Sequence, residues 1–294
     1  MQKCHHMLTA CFDAAGKKDN KETPIILVAG FSSIAKVWTE FDSRWSAALA
    51  DFGIPHFHAG DFAHSIGPFE GFKGDEPRRR LLATCLLDII RDCGLRKFGA
   101  FMKPKDLTKA KAAMGLANDE TVDPYVLCSR SAMDDLHAFA KREGITSKPH
   151  CVFEKGDEED LLRKHLKKHQ FPDAEFRWSR EVEKKGMLHS PFLGLQAAGW
   201  IAWEYYLDAC RVFGLKEYRS TRETLATFES MPGNIKIPFY SNPLDDVTRQ
   251  LDESFGKRLE VIQQATQRLE SIRLKDGTKT SSEPIENPPS ASPD

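Results

Sequence analysis

Residues Pro24-Ile25-Ile26-Leu27-Val28-Ala29-Gly30 form a nearly unbroken apolar run of strand length. Strict alternation would leave one face wet, whereas a continuous run marks a strand buried on both faces. The preceding Leu8-Thr9-Ala10-Cys11-Phe12 also reads as a strand, and the polar stretch Ala15–Asn20 between them is a turn, so the two segments predict a hairpin. Helical periodicity follows at once. From Ala35 to Phe52 the residues Val37, Trp38, Phe41, Trp45, Ala48 and Leu49 recur at three and four positions, and Gly53 and Pro55 end the segment.

The same two periods organise the next part of the chain. His56–Asp75, rich in Gly, His and Phe, reads as an ordered functional loop or a small excursion. Helices are expected over Arg79–Asp92, Tyr125–Glu143, Glu158–His169 and Pro191–Phe213, and strands over Leu95–Met102, His150–Glu154 and Ala174–Trp178. The expected fold class is α/β, a mixed sheet flanked by helices. A chain of 294 residues suits one large domain with appendages or two modest ones. The character changes at Gly214, giving an α/β domain over 1–213, a helical extension over 214–274 and a polar, Ser/Pro/Glu-rich tail over 275–294 that is too polar to fold. In the extension Val247, Leu251, Phe255, Leu259, Ile262, Leu269 and Ile272 form one stripe, suited to packing on the main domain or on a second copy in a homodimer.

Charge and cysteine content set the setting. The 42 Lys and Arg residues nearly cancel the 43 Asp and Glu, for a net charge of −1. The field of the whole molecule therefore offers no generic attraction to nucleic acid or membrane, and an anionic partner must meet a local patch. No run approaches the ~20 apolar residues of a membrane span, and the short apolar stretch Met7–Phe12 falls short of a secretory leader. Seven scattered cysteines with no Cys-x-x-Cys pair point to a reduced, cytoplasmic protein without disulfides or structural zinc.

Familiar chemical signatures are missing: no Gly-x-Gly-x-x-Gly, no phosphate loop, no Gly-x-Ser-x-Gly elbow and no His-Glu-x-x-His. What remains is acid at strand ends. Asp13 closes the first strand, Glu154 closes a central one, and Asp157 follows in Phe-Glu-Lys-Gly-Asp. Carboxylates at adjacent strand ends converge in space, and Mg²⁺ or Mn²⁺ prefers such hard oxygen ligands. Two ions held there can activate water and stabilise the leaving oxygen of a phosphodiester. Strand-end acids also commonly cap turns and helices, so spacing leaves both uses open.

The segments Phe12-Asp13-Ala14-Ala15-Gly16, Val28-Ala29-Gly30-Phe31, Trp38 and Trp45, His56-Phe57-His58-Ala59-Gly60-Asp61-Phe62, Gly67-Pro68-Phe69, Pro124-Tyr125, Phe153-Glu154-Lys155-Gly156-Asp157 and Leu195–Glu204 occur in this order over roughly residues 7–210. Together they resemble the bacterial family known as domain of unknown function 3800. The resemblance implies a ribonuclease H-like fold and a metal-binding acidic cluster, with Asp13, Glu154 and Asp157 as metal ligands and Glu204 as the last catalytic acid. Two positions depart from the family pattern. Ala14 stands where relatives carry Glu, on the strand face opposite Asp13. Gly199 stands where the family carries Asp, and Glu204, five residues on, lies roughly 140° around the helix.

His56, His58 and Asp61 form a second group, able to bind a transition metal, to touch substrate beside the carboxylates, or simply to pack at a strand end. His165 and His169 share a helix face among lysines and arginines and read as part of a solvated basic surface. Basic clusters at Arg78–Arg80, Arg163–Lys168 and Lys184-Lys185 could each meet a few phosphates, and the aromatic stripe Trp200–Tyr206 reads as packing. Two functions are carried forward. One is a Mg²⁺- or Mn²⁺-dependent nuclease or phosphodiesterase; the other is a catalytically lapsed relative that binds nucleic acid or protein in a mobile-element or defence-related system.

Overall fold

The computed structural model describes residues 7–16, 24–113, 123–156, 158–169, 171, 174–184, 187–214 and 223–236. All of them belong to the compact unit Met1–Tyr240. The chain enters through strands β1 (Leu8–Ala15) and β2 (Ile26–Ile34), the expected antiparallel hairpin, with Cys11 opposite Phe31. Helix α1 (Ala35–Asp51) follows, then α2 (Ala59–His64), a 3₁₀ turn at Gly67–Phe72, α3 (Glu76–Asp92) and β3 (Arg96–Met102). Next come α4 (Pro104–Ala113), α5 (Pro124–Arg142), β4 (His150–Glu154), α6 (Glu159–Lys168) and β5 (Glu175–Arg177). A short hairpin of β6 (Val182–Lys184) and β7 (Met187–His189), helix α7 (Leu193–Val212), α8 (Glu223–Ser230) and β8 (Gly233–Lys236) complete the described chain.

Six strands form one mixed sheet in the order β5-β4-β1-β2-β3-β8. β1, β2 and β3 are an antiparallel meander, while β4 lies parallel to β1, β5 parallel to β4, and β8 parallel to β3. The fold is therefore α/β, as its apolar periodicities require. The core to Phe213 expected from sequence is too short: β8, inside the supposed extension, pairs with β3 and completes one edge of the sheet. Residues 237–294, which hold the expected C-terminal stripe, its homodimer contact and the tail, lie outside the described residues.

Alternation along β1 sorts the two faces. Ala10 and Phe12 enter a core with Val28, Phe98, Phe153 and residues of α5 and α6. Cys11 and Asp13 face the other way, toward α7, which packs on β1 and β2 with α1 beside it. Close approach there depends on Gly194, since a Cβ at this position would fall 2.6 Å from Cys11 Sγ and 2.9 Å from the Trp38 ring. Helix α7 is buried on nearly every side, from Gly194 to Cys210, which explains why its sequence lacks a clear polar stripe.

The segment after Pro55 is ordered around aromatic contacts. Phe57 stacks against Phe62, Phe69 and Trp200 with ring centroids 5.4, 5.8 and 4.7 Å apart. His165 corrects the sequence reading: it is buried rather than solvated, because it sits between Leu162 and Leu166 on the inward face of α6. Its ring lies 4.4 Å from that of His169. The six described cysteines are free. Among the described residues, no helix is long and apolar enough to cross a membrane.

Candidate functional site

The pairing of β1 with β4 decides whether Asp13 and Glu154 can meet. These strands are parallel and in register through Phe12 and Phe153, whose rings stack 5.1 Å apart on the core side. Asp13 and Glu154 follow one residue later in strands spaced by about 4.8 Å, and alternation turns them to the α7 face; Glu154 ends β4, whereas β1 runs on to Ala15, so Asp13 does not close its strand as expected from sequence. Two acids far apart in sequence thus become neighbours through sheet register.

Each carboxylate is held differently. Asp13 Oδ1 accepts the Ala14 amide at 2.7 Å. Glu154 Oε1 accepts the Ser179 amide at 3.2 Å and the Ser179 hydroxyl at 3.1 Å, while Glu154 Oε2 is buried without a hydrogen-bond partner. Burial, reinforced by the Glu154 charge and more weakly by Glu158, lifts the Asp13 pKa to about 7; the Ala14 amide and His58 pull it back. Burial also lifts Glu154 to about 6, against the two Ser179 bonds and the Arg180 charge. An acidic pair with one unpartnered oxygen calls for a proton or a cation. Both states are accessible near neutrality.

Gly199 lies directly against Asp13. A Cβ there would come within 2.7 Å of Asp13 Oδ2, so the α7 backbone is the wall on which Asp13 rests. Glu204, expected as the last acid, lies around α7 from Gly199, as helical spacing requires. The 140° offset carries it to a cavity of about 560 Å³ lined also by Phe62, Arg79, Trp200 and Thr227. Asp157 lies outside the described residues.

The histidine loop does come to the acids. His58 is close enough for its charge to favour ionised Asp13, and it caps α2 by accepting the Asp61 amide on Nδ1 at 3.3 Å. Its Nδ1 also lies 3.1 Å from Asp61 Oδ1. His56 is half-buried, and burial followed by the Arg180 charge lowers its pKa, against the raising effect of Asp61.

One buried side chain ties the two halves of the site together. Gln196, on α7, accepts the Trp45 indole at 2.8 Å and the Phe57 amide at 2.9 Å on Oε1, and donates through Nε2 to Ser179 O at 2.7 Å. Phe57 lies between His56 and His58, and Ser179 holds Glu154. The amide therefore fixes the histidine loop and the Glu154 clamp to one helix. Gln196 is the single amide in the apolar stretch Leu193–Trp203, a signal visible in the sequence; Ser179 and Arg180 had none.

Donor type fits a divalent cation: two carboxylates converge and one buried oxygen lacks a bond. Among the described residues no three His, Cys, Asp or Glu side chains form a metal-holding group. No protein-family model, curated protein or solved structure matches the chain.

Proposed function

We propose that the chain is a divalent-metal-dependent phosphodiesterase of the ribonuclease H-like class, acting on nucleic acid in the reducing cytoplasm. The observation that carries this reading is the Asp13–Glu154 pair, each acid one residue beyond the Phe12–Phe153 register pair of adjacent parallel strands and raised toward neutrality by burial. Support also comes from the resemblance to the domain of unknown function 3800 family and from a mixed sheet with helices on both faces.

Asp13 and Glu154 would hold Mg²⁺ or Mn²⁺, with Asp157, three residues after Glu154 in the sequence, a further donor. Such an ion, when bound, supplies positive charge that acidifies a coordinated water and offsets charge on a phosphoryl oxygen. The rest belongs to the protein. Ser179 fixes one oxygen of Glu154 and leaves the other for the ion, and the Ala14 amide does the same for Asp13. His58, whose charge reaches Asp13, is the group that in its imidazolium form would protonate a leaving oxygen there.

Gly199 favours a second reading, a lapsed enzyme that retains binding. It offers no ligand where it touches Asp13, and Glu204 does not take its place. Incubation with single- and double-stranded DNA and RNA in Mn²⁺ separates the two. The enzyme reading expects cleavage that falls more in Asp13→Asn and Glu154→Gln than the about ten- to hundredfold typical of groups that only orient ligands. Cleavage unchanged in both variants removes these acids from the reaction, and absence of cleavage with any substrate leaves the binding protein.

A further inference from the structure

Three cations lie around Trp178 and the Glu154 clamp, and among the described residues they form no ion pair. Lys155 and Lys184 each place Nζ 5.8 Å from the centre of the Trp178 ring, and Arg180 follows Ser179 in the loop that clamps Glu154. Arg180 is exposed and lies within electrostatic reach of both Glu154 and His56. Among the described residues none of the three makes an ion pair or side-chain hydrogen bond. Other basic side chains nearby are neutralised: Arg177 binds Glu175 at 2.9 Å and Arg163 binds Glu159 at 3.1 Å. Glu183 neighbours Lys184 in β6, but alternation sends it to the opposite face. Glu181, next to Arg180, is exposed and forms no pair with it.

The surface is also built rather than loose. The Lys155 amide donates to Arg177 O at 2.8 Å, and the Phe192 amide at the start of α7 donates to Trp178 O at 2.8 Å. These bonds and the Gln196–Ser179 bond fix the backbone carrying Lys155, Trp178 and Arg180. Trp178 remains partly exposed.

We propose that Lys155, Arg180 and Lys184, set around Trp178, bind the phosphodiester backbone of a single-stranded nucleic acid and lead it to the Asp13–Glu154 pair. Cations without ion pairs grouped around one indole suit a chain of phosphates, and an accessible indole can stack on an unpaired base, which a duplex does not present. A chain of near-zero net charge thereby obtains the local patch that an anionic partner requires. The inference rests on the phosphodiesterase reading for its direction toward the acids, but its binding component can be measured alone.

The test is fluorescence anisotropy of the full chain with labelled oligodeoxythymidylate and oligouridylate, in chelator so that no divalent metal acts. Lys155→Ala/Arg180→Ala/Lys184→Ala should weaken binding at least about tenfold, and the slope of log affinity against log salt should become shallower by about 2. Trp178→Ala should weaken it about tenfold with little change in that slope. A charge-matched control, Arg44→Ala/Arg80→Ala/Arg91→Ala, removes cations that are already paired and should bind like the parent. Absence of binding by the parent, parent-like binding by the first triple variant, or equal loss in the control would overturn the assignment. A protein that binds in this pattern yet cleaves nothing would retain the surface and lose only the hydrolytic function.

Discussion

Gln196→Leu is expected to lower the melting temperature by roughly 10 °C or more, at about 2–4 °C per kcal/mol for a unit of this size. Leucine fills much of the same space, so packing is largely kept and the loss is polar. Three groups lose their partner together: the Trp45 indole N–H, the Phe57 amide and the Ser179 carbonyl. Each buried group left unsatisfied costs about 1–3 kcal/mol, giving roughly 3–6 kcal/mol when some reach water. Gln196→Glu isolates the hydrogen bonds from the packing. It keeps the acceptor for Trp45 and Phe57, and its protonated form can donate to Ser179 O, so its stability should recover as pH falls. Thermal melts of both variants across acidic and neutral pH check this. A Gln196→Leu protein as stable as the parent would show that the junction carries no strain-bearing role.

The second large effect concerns Asp13 and has the opposite sign. Its carboxyl is raised from an ordinary 3.8 to about 7, so folding favours the protonated form. The stability this contributes is complete below about pH 3.8 and is lost progressively as pH rises through about 7. Metal-free parent protein should therefore weaken over that window, by roughly 4 kcal/mol as an upper limit from this group. Asp13→Asn keeps an oxygen for the Ala14 amide and cannot ionise. At about pH 8 it should melt several degrees above the metal-free parent, and the gap should close toward about pH 4. A variant less stable than the parent at the higher pH would mean that the acid is held by a compensating charge rather than pressed against Glu154.

Where sequence and structure agree, the information was local. The apolar run ending at Gly30 is a central strand, the Trp38–Leu49 periodicity is α1, and Asp13 of β1 and Glu154 of β4 are neighbours because their strands pair. The α4 helix, the β6–β7 hairpin, α8 and β8 were not legible. Gly-Asn-Ile-Lys over β8 has one large apolar residue, and only the open edge of β3 makes it a strand. The site divides in the same way. That Gly199 packs against Asp13 could not be read from sequence, whereas the angular offset that sends Glu204 away was already implicit in helical geometry. Ser179, Arg180 and the clamp on Glu154 depend on a turn after a three-residue strand, which no local pattern announces.

Calorimetric titration of Mn²⁺ into the parent, Asp13→Asn and Glu154→Gln from about pH 8 down to about pH 6 addresses the acidic pair itself, since toward the lower pH metal binding must displace protons from the raised carboxyls. The parent should bind Mn²⁺, with proton release that grows as the buffer is lowered toward about pH 6, and both variants should bind at least about tenfold more weakly. Equal binding by all three proteins, or no Mn²⁺ binding by the parent, would contradict a metal centre built on Asp13 and Glu154.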